Sequence, residues 1–271
     1  MTWKIALPMY NVSPAVQRGY EDWANALAAS VGAVAELERS ADLSAVWQRH
    51  DLLLGQTCGY PYMTRLRGQV ALVATPCFDF SGCAGSDYSS VIVVSEGGGI
   101  NALADARGRI AAVNDAHSNS GMNVLRHAVA PLASEGGFFS DVRWSGSHAA
   151  SLRMVREGAA DIAAIDCVTY GYIEQEDPAS LRGLRVLRYS VSSPGLPLIA
   201  SKAVPEALVA RLRAALLDPD ERLLERMRIL RIRSYEYRPE ADYGAILNIE
   251  NEARIAGYPA LPPKWCGMRR G

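Results

Sequence analysis

Short apolar runs recur along the chain and alternate with stretches in which apolar residues return every three or four positions. The runs read as strands and the 3.6-residue period as helices. Residues 3–7 predict a first strand. Residues 14–30 predict the helix after it, with Val16, Tyr20, Trp23, Ala24 and Leu27 on one face. Strands follow at 34–37 and 51–55, with a short helix at 43–49, and the apolar runs 70–75 and 90–94 are the next strands. Between those two lies a loop, 76–88, rich in Gly, Ser, Cys and aromatic residues. From Ile100 the alternation restarts: helix 101–106, strand 109–113, a helix after Gly121, strand 141–144, helix 148–157, strand 161–165, helix 168–175 and strand 184–188. Residues 190–197 have the composition of a linker. Beyond them the pattern predicts strand 198–201, a helix over 205–217 opened by Pro205, further helices as far as Ala256, and a surface strap or frayed end over 259–271.

Strands alternating with helices predict an α/β protein built from βαβ units, with mostly parallel sheets. The restarts near Ser95 and Ser192 predict two lobes joined by two crossings. The first lobe is then discontinuous, residues 1–94 with 193–271, and the second is 95–192. A ligand cleft between such lobes, at the carboxyl edges of the strands, is the expected site.

Composition narrows the partners. The 271 residues carry 28 Lys+Arg against 29 Asp+Glu, a formal charge of -1, which argues against a nucleic-acid surface. With 49% hydrophobic and 21% charged residues the chain has ample material for a core. Its longest apolar runs fall well short of the roughly 20 residues a membrane span needs. The opening Met-Thr-Trp-Lys-Ile-Ala-Leu-Pro shows no basic segment leading into an apolar stretch, so no secretory signal is expected within this sequence. Five cysteines, Cys58, Cys77, Cys83, Cys167 and Cys266, include no C-x-x-C pair, and neither a metal nor a cofactor is expected. Cys77 and Cys83, six apart, could close a small loop as a disulfide or remain two thiols.

Three strand-to-helix junctions carry the candidate chemistry. Residues 111–123 run from an apolar strand through Asn114-Asp115-Ala116-His117 into Ser118-Asn119-Ser120-Gly121. A helix start with free N–H groups and two hydroxyls is suited to one oxyanion, and equally to plain N-capping by Ser118 or Ser120. Trp144-Ser145-Gly146-Ser147-His148 repeats the junction, with Ser147 as cap and His148 in the first turn, either a donor to an anion or a capping histidine. Asp166, at the carboxyl end of the apolar strand 161–165, either meets a substituent of the ligand or caps the next helix.

The ordered succession of Asn114-Asp115 with Ser118-Asn119-Ser120-Gly121, then Ser145-Gly146-Ser147-His148, then 161–170, resembles the phosphate/phosphonate-binding family of periplasmic substrate-binding proteins. The likeness is strongest over about residues 50–205. It implies a two-lobed, type II periplasmic-binding-protein fold with two hinge crossings, service to an ABC transporter for phosphonate, phosphite or phosphate, and a periplasmic location. The missing signal leaves a cytoplasmic location open. In that family a Ser-Thr-Ser-Gly helix start holds phosphonate oxygens, so the resemblance gives Ser118, Asn119 and Ser120 that role, with Asn119 in place of the threonine. It also makes His148 a contact to the same oxyanion and matches Asp166 to the aspartate that meets the substituent in some members. Gln56-Thr57-Cys58-Gly59-Tyr60-Pro61 and 82–90 resemble a branch of the same family. Tyr10, Gln56, Tyr60 and Tyr88 are the candidates for the opposing wall, each tyrosine weighed against ordinary packing.

The leading expectation is therefore a monomeric binding protein with no covalent step, which takes a small oxyanion and hands it to a permease. Two other classes stay open at this point: a cytosolic ligand sensor of the same fold, and an enzyme with Cys58 as nucleophile and His148 as base.

Overall fold

The computed structural model describes residues 2–40, 42–134 and 137–261. The chain divides into two compact units. The first comprises the described residues through Tyr88 with Ser193–Ala245, and the second Ser89–Ser192 with the described residues from Ile246 onward.

The first unit begins with β1 (Trp3–Ala6), α1 (Pro14–Ser30), β2 (Ala35–Leu37), α2 (Leu43–Trp47), β3 (Leu52–Gln56) and the single turn α3 (Gly59–Pro61). It continues through β4 (Val70–Phe78) and the small hairpin β5 (Cys83–Ala84) and β6 (Asp87–Tyr88). Ser13 caps α1, its hydroxyl accepting from Val16 N, with Pro14 at the first helical position where the lost N–H costs nothing.

The second unit contributes β7 (Ser90–Ser95), β8 (Ile110–Val113), α4 (Val124–Val129), β9 (Asp141–Trp144), α5 (His148–Arg156), β10 (Ile162–Asp166), α6 (Cys167–Glu176) and β11 (Leu184–Tyr189). The chain then returns to the first unit with β12 (Ser193–Pro194), β13 (Leu198–Ser201), α7 (Glu206–Leu217), α8 (Glu221–Ile229) and β14 (Ile232–Glu236); α9 (Gly244–Ile255) belongs from Ile246 onward to the second unit, not to the first as expected for 193–271. None of these helices is long and apolar enough to cross a membrane.

The six-stranded sheet of the first unit runs β14-β4-β13-β3-β1-β2, beside the small sheet β12-β6-β5, and the sheet of the second unit runs β11-β7-β10-β8-β9. Both large sheets are mixed rather than mostly parallel. β1 is parallel to β2 and β3, and β8 to β9 and β10, whereas β13 lies antiparallel to β3 and β4, and β7 antiparallel to β10 and β11. Apolar runs such as Val91–Val94 and Ile162–Ile165 are wholly enclosed. That is the pattern of strands covered on both faces.

Several expectations need adjusting. The strand over 90–95 pairs with β10 and β11, so the passage out of the first unit lies at Tyr88/Ser89 rather than at 94/95. The segment after α8, expected as helix, contains β14: Arg231, at φ 56, turns the chain out of α8, and Ile232 and Tyr235 then bury while their neighbours stay exposed. The loop 76–88 holds the end of β4 and the β5–β6 hairpin. Cys77 and Cys83 are not joined to each other, nor does any disulfide form among the described residues, and burial pushes the Cys77 thiol up to about 11. Cys266 and most of the expected strap lie outside the described residues.

Within the first unit the hydroxyls of Thr75 and Tyr243 meet at 2.6 Å, both residues being almost inaccessible. Tyr243→Phe leaves the Thr75 hydroxyl without this partner, and the expected loss is about 1–2 kcal/mol in urea-unfolding stability with an unchanged slope.

Candidate ligand-binding site

In the second unit β8, β9 and β10 are parallel neighbours, so the three helices that follow them all start at one sheet edge. Each start is capped by the residue its sequence offers. Ser118 accepts from Gly121 N at 2.9 Å, Ser147 from Ala150 N at 3.1 Å, and Asp166 Oδ1 from Val168 N and Thr169 N at 2.8 and 3.1 Å. β7 runs the other way, so its first residue, Ser90, lies at this same edge, directly opposite Asp166.

The first start is a π-helical turn, Asn119–Asn123, which runs on into α4. The second is locked beside it, because Ser145 N donates to the Val113 carbonyl at 2.8 Å and Gly146 N to the Asn114 carbonyl at 3.1 Å. These bonds bring His148 to that turn: Ser120 Oγ lies 3.0 Å from His148 Nε2 and 3.5 Å from Ser118 Oγ. The helix dipoles and first-turn N–H groups favour negative charge here. A hydroxyl that accepts a capping bond still carries a proton to donate. No Lys or Arg occurs in 114–123, 144–151 or 166–170, so the donors at this edge are neutral.

His148 is half-buried, with its Nδ1 enclosed beside the backbone of Ala164. Desolvation lowers its pKa from 6.5 to about 4, opposed only in part by the backbone of Ala164. The ring is therefore a neutral imidazole at physiological pH.

The predicted residues do not all behave alike. Ser118, Ser120 and His148 form one cluster. Asn119 does not join them with its side-chain oxygen: the residue is wholly buried, and Oδ1 accepts from Asn123 Nδ2 at 3.1 Å. Asp166, 2% exposed, commits Oδ1 to capping α6. In the first unit, Tyr10 is core, stacked on Tyr20 with centroids 6.4 Å apart and edge-on to Phe78 at 5.3 Å. Tyr60 and Tyr88 are buried in α3 and β6. Gln56, at the end of β3 and only 2% exposed, encloses its Oε1 without a partner, and its backbone carbonyl accepts from Trp47 Nε1. Cys58 is buried just before α3. A separate first-unit cavity of about 240 Å³, lined by Leu7, Asn11, Gln17, Glu21, Glu38 and Arg39 among others, includes none of the candidates.

Two residues outside the predicted set, Asn114 and Gly121, are packed into the same cluster. A Cβ on Gly121 would lie 1.8 Å from Asn114 Oδ1 and 3.3 Å from His148 Cε1. Asn114 Oδ1 is itself enclosed and without a partner. The Asn-Asp that opens the polar loop and the Gly that ends the Ser-Asn-Ser-Gly stretch were the sequence signals for both.

The fold and this edge define a two-unit α/β protein of the periplasmic solute-binding class. The chain belongs to the ABC transporter, phosphonate, periplasmic substrate-binding protein family, whose model matches residues 5–239. Among solved structures it is similar to a binding-protein component of an ABC phosphonate transporter from Pseudomonas aeruginosa, with TM-score 0.79, 16% identity, and 94% of this chain and 87% of that one covered. It is also similar to PhnD1 from Prochlorococcus marinus, solved in complex with methylphosphonate, with TM-score 0.79, 15% identity and coverages of 93% and 98%. A protein of Xanthomonas citri solved bound to ATP matches with TM-score 0.68, 15% identity and coverages of 94% and 98%. At these identities the likeness is one of fold, and it is the type II periplasmic-binding-protein fold. No curated protein sequence matches the chain.

Two predictions test this geometry. Gly121→Ala forces the Asn114 amide away, and overpacking of this kind costs about 1–3 kcal/mol. Adding Asn114→Ala to that variant removes the clashing atom, so thermal unfolding should show the double variant regaining most of the loss. For His148, a pKa held below the unfolded value of 6.5 means that the unfolded chain binds the extra proton first. Its contribution to stability is complete above about pH 6.5 and is lost as pH falls toward 4. The melting temperature of His148→Gln should therefore decline less between pH 7 and pH 4.5 than that of the parent.

Proposed function

We propose that this protein is the substrate-binding component that captures a small phosphorus oxyanion, a phosphonate, phosphite or phosphate, in the periplasm and delivers it as a monomer to an ABC permease. The reading is carried by one observation: the Ser118, Ser120 and His148 side chains gather at adjacent helix starts, with Ser120 Oγ 3.0 Å from His148 Nε2 and no cationic side chain in the three junctions. Neutral hydroxyls, first-turn N–H groups and an uncharged imidazole solvate an oxyanion without a salt bridge. Asp166 stays with the α6 cap and serves the ligand through the helix start it stabilises. Gln56 is the first-unit residue most suited to the ligand, because its enclosed Oε1 needs a donor that the described residues do not supply. No group here is assigned a bond-making step.

Thermal melting against phosphate, phosphite, methylphosphonate, 2-aminoethylphosphonate and sulfate tests the reading. A ligand at a hundred times its Kd stabilises by about 2.7 kcal/mol. The expected result is a selective shift with one or more of the phosphorus anions that disappears in Ser118→Ala and His148→Ala. A flat response to all five would overturn oxyanion capture.

A further inference from the structure

The helix start that carries Ser118 and Ser120 is held in an uncommon geometry. Asn119–Asn123 is π-helical, with Asn123 N donating to the Ser118 carbonyl at 3.0 Å. Such turns are rare, and they persist where their surroundings impose them.

The side chains on the inner face of this turn are polar, buried and connected in one direction. Asn119 and Asn123 are wholly enclosed and Arg126 is 4% exposed. Asn123 Nδ2 donates to Asn119 Oδ1 and to the Ile246 carbonyl, both at 3.1 Å. Asn123 Oδ1 accepts from Arg126 Nη2 at 2.8 Å, and Arg126 Nη1 donates to the Pro259 carbonyl at 2.7 Å. The guanidinium stands 3.7 Å from the Glu250 carboxylate. Residues 246–259 are thus tied to the oxyanion turn by a continuous hydrogen-bonded relay, all of it inside the second unit.

Apolar side chains could fill the same space, but they would leave the register of the turn unspecified. A planar guanidinium fixed at both ends and an amide bonded on both sides each accept one placement. If the turn relaxed to ordinary α-helix by losing its extra residue, Ser118 and Ser120 would rotate by roughly 100° relative to α4. Their hydroxyls would then leave His148.

We propose that Asn123 and Arg126 are positioning residues: by anchoring the π turn to residues 246–259 they aim the Ser118 and Ser120 hydroxyls, so the C-terminal segment sets the affinity of the anion site. The effect on affinity rests on the oxyanion reading above; the effect on the turn does not.

The experiment uses the full chain with Asn123→Ala, with Arg126→Gln, and with both. Affinity for methylphosphonate and inorganic phosphate is measured by calorimetry, and backbone amide exchange at residues 118–122 is followed alongside that of β8 and β10. Each single variant should weaken anion binding by about tenfold or more and speed exchange in the turn, while the two strands keep parental protection. The double variant should lose little beyond the larger single loss, as expected of one network. Glu252→Gln breaks the exposed His127–Glu252 pair, 2.8 Å apart, which joins the same helices outside the relay, and should leave both readings unchanged. A folded Asn123→Ala protein with parental affinity and parental exchange would overturn the proposal; if that variant does not fold, Arg126→Gln, which keeps an amide in place of the fork, decides by the same two readings. Should neither anion bind the parent, affinity is read instead with phosphite and 2-aminoethylphosphonate; if none of these binds, the oxyanion reading fails, and the exchange data alone judge whether the relay holds the turn.

Discussion

Parallel neighbours in a sheet cannot be joined by hairpins, so each must hand the chain to a crossover at the same edge. In the second unit that constraint acts three times. β8, β9 and β10 all end on one side, and each is followed by a helical start. Three sets of unpaired N–H groups are thereby collected where the topology leaves no alternative, and Ser118, Ser147 and Asp166 each satisfy only part of a first turn. What distinguishes the first start from a routine cap is the second hydroxyl, Ser120, and the imidazole that the neighbouring helix start places against it.

The fold also encloses polar side-chain atoms without hydrogen-bond partners, Asn114 Oδ1 against the turn that follows β8 and Gln56 Oε1 within the first unit. Each costs about 1–3 kcal/mol relative to a satisfied group, which stable cores seldom retain. Gly121 shows how closely the turn is fitted, since the space a side chain would need is already taken by Asn114. Desolvation in these surroundings holds the His148 pKa below its ordinary value, which favours the uncharged ring.

Much of this was legible in the sequence because it is local. The apolar runs at 91–94, 110–113 and 162–165 could hardly be anything but enclosed strands, and Ser118 and Ser147 announced their helices by the residues that follow them. What escaped is non-local. Residues 90–95 read as a strand, yet only their antiparallel pairing with β10 and β11, scores of residues away, assigns them to the second sheet. The strand Ile232–Glu236 is short and mostly polar, and it exists because the edge of β4 accepts it. Asn119 sits between two serines and invites the same role as they have. A helical turn nevertheless points adjacent residues in different directions, and the amide belongs to the interior with Asn123. Tyr10 likewise follows a strand end as a ligand residue would, but Tyr20 and Phe78 enclose it in the core.

The interior network explains why an amide can stand where the family resemblance leads one to expect a hydroxyl. A threonine at 119 would offer Asn123 a shorter acceptor, and the relay through Arg126 to Pro259 would lose its innermost member; the asparagine supplies that length. With Asn119 facing inward, the turn is left with two hydroxyls, its main-chain N–H groups and a neutral imidazole. Such donors are directional and act over a few ångströms, whereas a lysine or arginine would attract any anion and would be weakened by salt. For the proposed oxyanion, discrimination then depends on the geometry of the turn more than on net charge, which is why residues buried behind it, touching no ligand, bear on what the site accepts.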